Sequence, residues 1–298
     1  MEYVIIADGA CDLGTECAKK AGVEIVPFFV SFDEETYYRE IVDIGVRDFY
    51  DRVIGEPGVY PKSSMPSVQD YIDVFEPHVK KGEAIISICV TTQQSGSYNS
   101  AQNAKNMLLD DYPDAKITVI DSTVNTVLEG IFVREAAKMK VDGIPYEEAA
   151  KKLEQLKSQG RIIFTVGDLE YLIHGGRIGK AKGTAVNMLG IKPMIVMRDG
   201  NIFSGGIARN RKRSLEKVIS QIKEYFTTGT EKVEDYEIVV GYGYDQAEGE
   251  KFRDQLLVSM REYTKIDHID MYQIGATVSV HTGPYALGAG FMKKYDRL

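Results

Sequence analysis

The chain of 298 residues is long enough for two domains, and its 44% hydrophobic and 27% charged residues are ordinary for a folded globular protein. Its net charge of −8 argues against a general nucleic-acid binder, because such proteins gain affinity from a basic face.

The three cysteines, Cys11, Cys17 and Cys89, have no metal-ligand spacing, so we expect reduced thiols, no metal site and a cytoplasmic protein. We expect no membrane helix and no signal peptide, because apolar runs stay far below roughly 20 residues.

Strands and helices alternate in the first half of the sequence. Apolar runs predict strands, and apolar residues at helical spacing predict the helices between them. The predicted strands are residues 3–7, 24–32, 84–90 and 116–120, and the predicted helices are residues 15–21, 46–54, 68–79, 98–109, 126–139 and 146–158. Alternation of this kind predicts a parallel sheet with helices on both faces.

The pattern changes near Gly160. Two apolar runs, 191–198 and 201–208, flank Asp199-Gly200, which is a strong hairpin signal and predicts antiparallel pairing. The other predicted elements are strands over 161–166, 236–242 and 266–272 and helices over 168–173, 214–226 and 246–263. We therefore predict an α/β fold of two domains, residues 1–160 with a mostly parallel sheet and residues 161–298 with a mixed or antiparallel sheet.

Residues 91–100 are the strongest candidate for a ligand site. Six of these ten residues carry a hydroxyl group, and they lie between a predicted buried strand and a predicted helix. Such a turn presents backbone N–H groups and the positive end of a helix dipole to a small anion. Ser95 and Gly96 at the helix start are also compatible with an ordinary helix cap. We favour a site for a carboxylate or phosphate, because six hydroxyls exceed what capping needs.

A second hydroxyl pair, Ser63 and Ser64, precedes the predicted helix at 68–79. Ser67 is a good N-cap for that helix, whereas Ser63 and Ser64 are spare and suit an anion site. The acidic turn at residues 8–12 has two interpretations. Asp12 caps the following helix, which we favour, or the turn orients ligand-binding loops.

His281 lies in a glycine-rich stretch, which we predict to be a loop between a strand and a terminal apolar segment. It suits a structural hydrogen bond, a donor to an anionic head group, or a base if a nucleophile lies nearby. The basic segment 177–182 and the later Arg209 and Arg211 form either a solvated surface or a docking surface. We favour docking, because the protein is otherwise acidic.

Five motifs in this order make the chain resemble the DegV family, the fatty-acid-binding proteins that serve bacterial fatty acid kinase. Each motif alone is weak, but the resemblance extends over the whole chain. The motifs are Asp8-Gly9-Ala10-Cys11-Asp12, Ser63-Ser64-Met65-Pro66-Ser67, Ser95-Gly96-Ser97-Tyr98, Leu169-Glu170-Tyr171-Leu172 with Gly175-Gly176-Arg177-Ile178, and His281-Thr282-Gly283-Pro284-Tyr285-Ala286-Leu287-Gly288.

The resemblance implies a long-chain fatty acid held between two domains, with its tail in an apolar tunnel. Its carboxylate would meet Ser63, Ser95 and His281, and we assign Ser64 and Gly96 to the same head-group site. The family passes this carboxylate to a separate ATP-dependent kinase subunit, which forms an acyl phosphate. Arg177, with either Arg209 or Arg211, would engage that kinase. No catalytic residue, metal or cofactor is implied in this chain.

Two rival functions remain from the sequence. A serine acyl hydrolase would use Ser95 as nucleophile and His281 as base, but the chain lacks a Gly-x-Ser-x-Gly elbow and an obvious orienting acid. A DNA-binding regulator would use the basic segment, and the net charge of −8 weighs against it.

Overall fold

The structure, a computed structural model, describes residues 2–167, 169–178 and 191–298. Its strands are β1 (Tyr3–Asp8), β2 (Val23–Val26), β3 (Phe29–Ser31), β4 (Tyr38–Arg39), β5 (Lys62–Ser64), β6 (Ala84–Cys89), β7 (Ile117–Asp121), β8 (Gly160–Thr165), β9 (Lys192–Arg198), β10 (Asn201–Ala208), β11 (Tyr236–Tyr242), β12 (Asp270–Gln273) and β13 (Leu287–Lys293). Its α-helices are α1 (Gly14–Ala21), α2 (Val46–Gly55), α3 (Val68–Lys80), α4 (Ser97–Asp111), α5 (Thr126–Val141), α6 (Tyr146–Leu156), α7 (Glu170–His174), α8 (Arg211–Thr228), α9 (Gln246–Met260) and α10 (Ala276–Thr282). None of these described helices is both long and apolar enough to cross a membrane.

The first sheet is parallel and has the strand order β2-β1-β6-β7. All six residues of β6 are buried, as expected for a central strand that helices cover on both faces. The predicted parallel sheet is therefore confirmed. Because its strands run in the same direction, the residues that follow β1 and β6 meet at one edge of the sheet.

The second sheet is mixed and has the order β10-β9-β8-β13-β11-β12, with β11 and β12 parallel and the other neighbours antiparallel. The β9–β10 hairpin turns at Asp199 and Gly200, which have φ angles of 49° and 74°. Two successive positive φ angles are typical of the tight hairpin turn that Asp-Gly favours. The predicted α/β fold class, with a parallel and a mixed sheet, is confirmed.

A small third sheet, β4-β3-β5, was not predicted. The sequence predicts one strand over 24–32, but the chain breaks it at Pro27-Phe28 and pairs its second part, β3, with β5. Proline has no N–H to donate to a strand ladder, so it ends β2. Strand β5 carries Ser63 and Ser64 and is too short and polar to give an apolar strand signal.

Helix α5 connects the packing of the two large sheets. Twelve of its sixteen residues are buried, and it packs against β1 of the first sheet and against β11 and β13 of the second. A helix that is buried on nearly all sides must be covered from several directions. The main hydrophobic core accordingly joins residues of both halves, such as Tyr3, Ile86, Ile162 and Met292.

Candidate ligand-binding site

A cavity of about 310 Å³ lies where the carboxyl ends of β1 and β6 meet the second sheet. Ala10 and Val90, which follow those strands, line one side, and Ile162 and Phe164 of β8 line the other. Most of the remaining lining is apolar and includes Phe28, Leu172, Met197, Ile202, Ile274 and Val278. A largely apolar cavity with a few polar groups is typical of a small-molecule site.

All five residues predicted for the head-group site line this cavity: Ser63, Ser64, Ser95, Gly96 and His281. Ser63 Oγ lies 3.1 Å from His281 Nε2, although 218 positions separate the two residues in the chain. The cavity therefore brings a hydroxyl and an imidazole group together within a lining that is mostly apolar. This combination fits an amphiphile with a small anionic head group.

His281 lies in the last turn of α10, so the prediction of a loop here was wrong. Helix α10 is rich in β-branched residues, which have low helix propensity. Contacts from elsewhere in the fold hold it instead. The Tyr50 hydroxyl donates to the Ile274 carbonyl at 3.0 Å and also bonds the Ser279 hydroxyl on the helix.

The environment of His281 keeps its imidazole neutral. Burial lowers the pKa of His281 to about 4, and the positive charges of Arg177 and Lys62 add to this effect. A neutral imidazole has one donor and one acceptor nitrogen. Nδ1 has no hydrogen-bond partner in the described residues, and Gly175 packs directly against it. Nε2, which lies beside Ser63, is therefore the nitrogen that can donate a hydrogen bond to a carboxylate, without adding a full positive charge.

Some hydroxyl groups of the segment 91–100 form hydrogen bonds that hold the fold, and another lies in the wall of the cavity. The hydroxyl of Thr92 donates to Asp121 at 2.6 Å, and that of Ser97 donates to Asp8 at 2.7 Å. Ser95 is the hydroxyl residue of this segment that lines the cavity. Its Oγ also accepts the N–H of Ser97 at 3.2 Å, at the start of α4.

Asp8 belongs to the acidic turn at residues 8–12, whose second interpretation was that it orients ligand-binding loops, and it is a buried organiser of this head-group region. Its carboxylate accepts the N–H of Ala10 at 3.2 Å, the N–H of Val90 at 2.9 Å and the hydroxyl of Ser97. These bonds join the end of β1, the end of β6 and the start of α4 around Ser95. Burial raises the pKa of Asp8 to about 6 even though these hydrogen bonds oppose the shift.

The prediction that Asp12 caps the following helix was wrong. Helix α1 begins after Leu13, which makes no side-chain cap bond. The carboxylate of Asp12 instead accepts the hydroxyl of Thr126 on α5. The other cap prediction was correct, because Ser67 and Asp70 form a capping box at the start of α3.

The three predicted docking arginines differ in their surroundings. Arg177 lines the cavity and donates to the carbonyls of Gln94 at 3.1 Å and Gly175 at 2.8 Å, so it lies at the ligand site. Arg211 forms a two-pronged ion pair with Glu248 at 2.9 and 2.6 Å. Arg209 is exposed and forms no ion pair within the described ranges. The rest of the basic segment, residues 179–182, lies outside the described residues, as does residue 168.

Comparison with known proteins agrees with the resemblance. The family model described as uncharacterised protein, DegV family, matches residues 2–294. A DegV domain-containing protein of Clostridium acetobutylicum is 31% identical over 293 residues, which cover 98% of each chain. The crystal structure of a stearic-acid-binding protein from Eubacterium ventriosum has a TM-score of 0.94 and 44% identity, covering 99% of this chain and all of that one. DegV of Bacillus subtilis, a fatty acid binding protein, has a TM-score of 0.83 at 25% identity, with 99% and 100% coverage. The chain belongs to the DegV family.

Proposed function

We propose that this protein binds a long-chain fatty acid between its two domains, residues 1–160 and 161–298. The carboxylate lies at Ser63, Ser95 and His281, beside Ser64 and Gly96, and the tail lies along the apolar wall. The observation that carries the proposal is the cavity itself, a mostly apolar space in whose wall the hydroxyl of Ser63 meets the imidazole of His281.

The energetics of such a ligand fit the cavity. Each buried methylene contributes about 0.8 kcal/mol, so a long acyl chain supplies roughly 10 kcal/mol before ordering costs. The head group then needs only a few hydrogen bonds. A neutral imidazole and serine hydroxyls can supply these bonds while the carboxylate oxygens stay available for a later reaction, whereas a paired arginine would hold them more tightly.

The geometry disfavours the serine hydrolase alternative. A catalytic histidine needs a partner on its second nitrogen to fix its tautomer and orientation. At His281 that nitrogen is Nδ1, which Gly175 covers and which has no such partner in the part of the chain described. The Nε2 atom faces Ser63 instead of the proposed nucleophile, Ser95.

Replacing Ser95 by alanine tests the head-group assignment. We expect a loss of about 1–3 kcal/mol in fatty acid binding, or roughly 5- to 150-fold in Kd, because a buried carboxylate loses a donor. Titration with a fluorescent fatty acid measures the change. Thr92→Ala is the matched control, since its hydroxyl bonds Asp121 outside the cavity. Equal effects of both variants, or no effect of Ser95→Ala, would contradict the assignment.

We further propose that a separate ATP-dependent kinase phosphorylates the bound carboxylate in the cytoplasm. The chain itself then acts as a binding subunit and not as an enzyme. Arg177 lies beside the head group and would meet both ligand and kinase. Of the two later candidates we now favour Arg209, because Glu248 already neutralises Arg211.

Arg209→Ala should separate docking from ligand binding. We expect acyl phosphate formation with the separate kinase subunit of a bacterial fatty acid kinase to fall by roughly 5- to 30-fold at low binding-protein concentration, as for loss of an interface anchor worth about 1–2 kcal/mol. Fatty acid affinity should stay unchanged. Arg211→Ala serves as the control. It should mainly lower the stability of the protein and should have a smaller effect on acyl phosphate formation. A kinase rate unchanged in Arg209→Ala would exclude this residue from the docking surface.

A further inference from the structure

Two buried carboxyl groups from the first half of the chain hold the start of helix α10, which carries His281. Glu40 Oε2 accepts both the N–H of Thr277, at 3.3 Å, and its hydroxyl. Asp12 Oδ2 accepts the hydroxyl of Thr126. Glu40 is 1% exposed and Asp12 6%. Both threonines also line the ligand cavity, so these acids lie directly behind its wall.

The second oxygens of these two carboxyl groups converge on Gly275, just before α10. The backbone N–H groups of Gly275 and Ala276 favour the charged forms of Asp12 and Glu40, respectively, but neither Oδ1 nor Oε1 has a hydrogen-bond partner of good geometry in the described residues. A Cβ built on Gly275 would lie only 2.4 Å from each of these oxygens. The two oxygens therefore approach the same point beside Gly275, where there is no room for a side chain.

The titratable groups that act most strongly on this pair are acidic or neutral, and Lys19 of α1 lines a second cavity together with Glu40. Asp8 on β1 contributes negative charge to both acids. Cys11 and Tyr50 are the other titratable neighbours, and Glu129 on α5 lies close to Asp12. No lysine, arginine or histidine of the described ranges forms an ion pair with either acid. Two carboxylates that share a dry site without a cation cannot both ionise readily.

We propose that Asp12 and Glu40 share one proton and form a carboxyl latch that positions α10, and with it His281, over the head group of the ligand. Loss of the shared proton to water leaves two facing carboxylates, whose repulsion pushes the start of α10 away. Because Thr277, Val278 and His281 of this helix all line the cavity, its movement frees the ligand. The latch rests on the proposed fatty acid binding and adds its regulation.

The sign of the pH effect follows from burial. Burial raises the pKa of Glu40 from its ordinary 4.5 to about 7 in the closed protein. An open latch is solvated and has an ordinary pKa, so opening releases a proton between these two values. The shared proton therefore stabilises the closed state fully below about pH 4.5. This stabilisation decreases as the pH rises to about 7 and does not change further above that pH. Because opening releases one proton, the equilibrium between the closed and open states can change by at most about tenfold per pH unit.

Glu40→Gln is the decisive variant, because its amide copies the protonated state. The amide oxygen accepts from Thr277, and the amide N–H donates to Asp12. Release of a fluorescent fatty acid into phosphatidylcholine vesicles should speed up roughly 10- to 100-fold from pH 5 to pH 7 in the wild-type protein. The ionisation of the fatty acid itself also changes its release rate with pH. In Glu40→Gln, the change in release rate from pH 5 to pH 7 should stay within about twofold of this lipid effect.

The control is Glu135→Gln, which removes another buried carboxylate that accepts a backbone N–H, that of Tyr295 at 2.6 Å. It should keep the wild-type pH profile. The fatty acid and His281 are present in all these proteins, and the charges that act on His281 are those of Arg177 and Lys62. The ratio of variant to wild-type rate at each pH therefore removes the contribution of these two groups. Asp12→Asn should give the same flat profile as Glu40→Gln and replaces it if that variant does not fold.

Thermal unfolding without ligand separates the latch from the proposed function. The Tm of the wild-type protein should fall relative to that of Glu40→Gln between pH 5 and pH 7. If the Tm values differ in this way but the protein binds no fatty acid, the result would support the latch and overturn the proposed ligand. Fatty acid binding with identical pH profiles in the wild-type protein, Glu40→Gln and Asp12→Asn would overturn the latch.

Discussion

Replacing Asp8 by alanine is expected to lower the free energy of unfolding by about 3–5 kcal/mol. The hydroxyl of Ser97 keeps the Tyr71 hydroxyl as a partner, but the buried N–H groups of Ala10 and Val90 lose their acceptor. Water does not reach these donors, so each carries its full desolvation penalty. The same loss frees the segment around Ser95, and we expect fatty acid affinity to fall with stability. Urea unfolding followed by circular dichroism measures the first effect.

Asp33→Ala is the matched control for this prediction. Asp33 also accepts three hydrogen bonds, from the hydroxyl of Ser31 and from the N–H groups of Glu35 and Thr36. Asp33 is exposed, so water can replace it as the acceptor. We expect Asp33→Ala to lower the free energy of unfolding by less than about 1 kcal/mol. A cost for Asp8→Ala as small as that for Asp33→Ala would show that Asp8 does not organise the head-group region.

Replacing Gly175 by alanine should weaken fatty acid binding by roughly 10- to 100-fold, as expected when a head-group interaction of about 1.4–2.8 kcal/mol is lost. A Cβ on Gly175 would lie 2.2 Å from His281 Nδ1, so the imidazole must move away from Ser63. The φ angle of Gly175 is −76°, which any residue adopts. The effect is therefore steric and local, and the unfolding free energy should change little.

The neighbouring glycine provides the opposite control. Gly176 has a φ of +67° and open space at its Cβ position, so Gly176→Ala should cost about 1 kcal/mol in stability and leave binding nearly unchanged. In a protein that already carries His281→Ala, Gly175→Ala should cause no further loss of affinity. An additional loss in that double variant would mean that Gly175 acts through something other than His281.

The regular part of the fold was predictable from the sequence. Strand β6 is a continuous apolar run, and Ser95 follows its end by only a few residues, so the position of the hydroxyl segment at the sheet edge follows from the pattern alone. The β9–β10 hairpin was equally clear, because Asp199-Gly200 supplies both positive φ angles of its turn. These features depend on local sequence, which is why local signals predicted them.

The other side of the site depends on contacts between distant residues. Helix α10 consists mostly of β-branched residues and exists because Glu40 and Tyr50 hold it. Strand β5 has three polar residues and exists because β3 pairs with it. No periodicity could bring Ser63 to His281, and only the family resemblance placed them together. The partners of Asp8 were hidden for the same reason, because Val90, which follows β6, and Ser97 on α4 are distant from it in the chain.

Native mass spectrometry of the purified protein tests the central claim most directly. We expect the mass of the chain plus one long-chain fatty acid, and we expect Gly175→Ala to retain less of this ligand than Gly176→Ala. Protein that carries only its own mass, and that still does so after incubation with long-chain fatty acids, would contradict the proposed function.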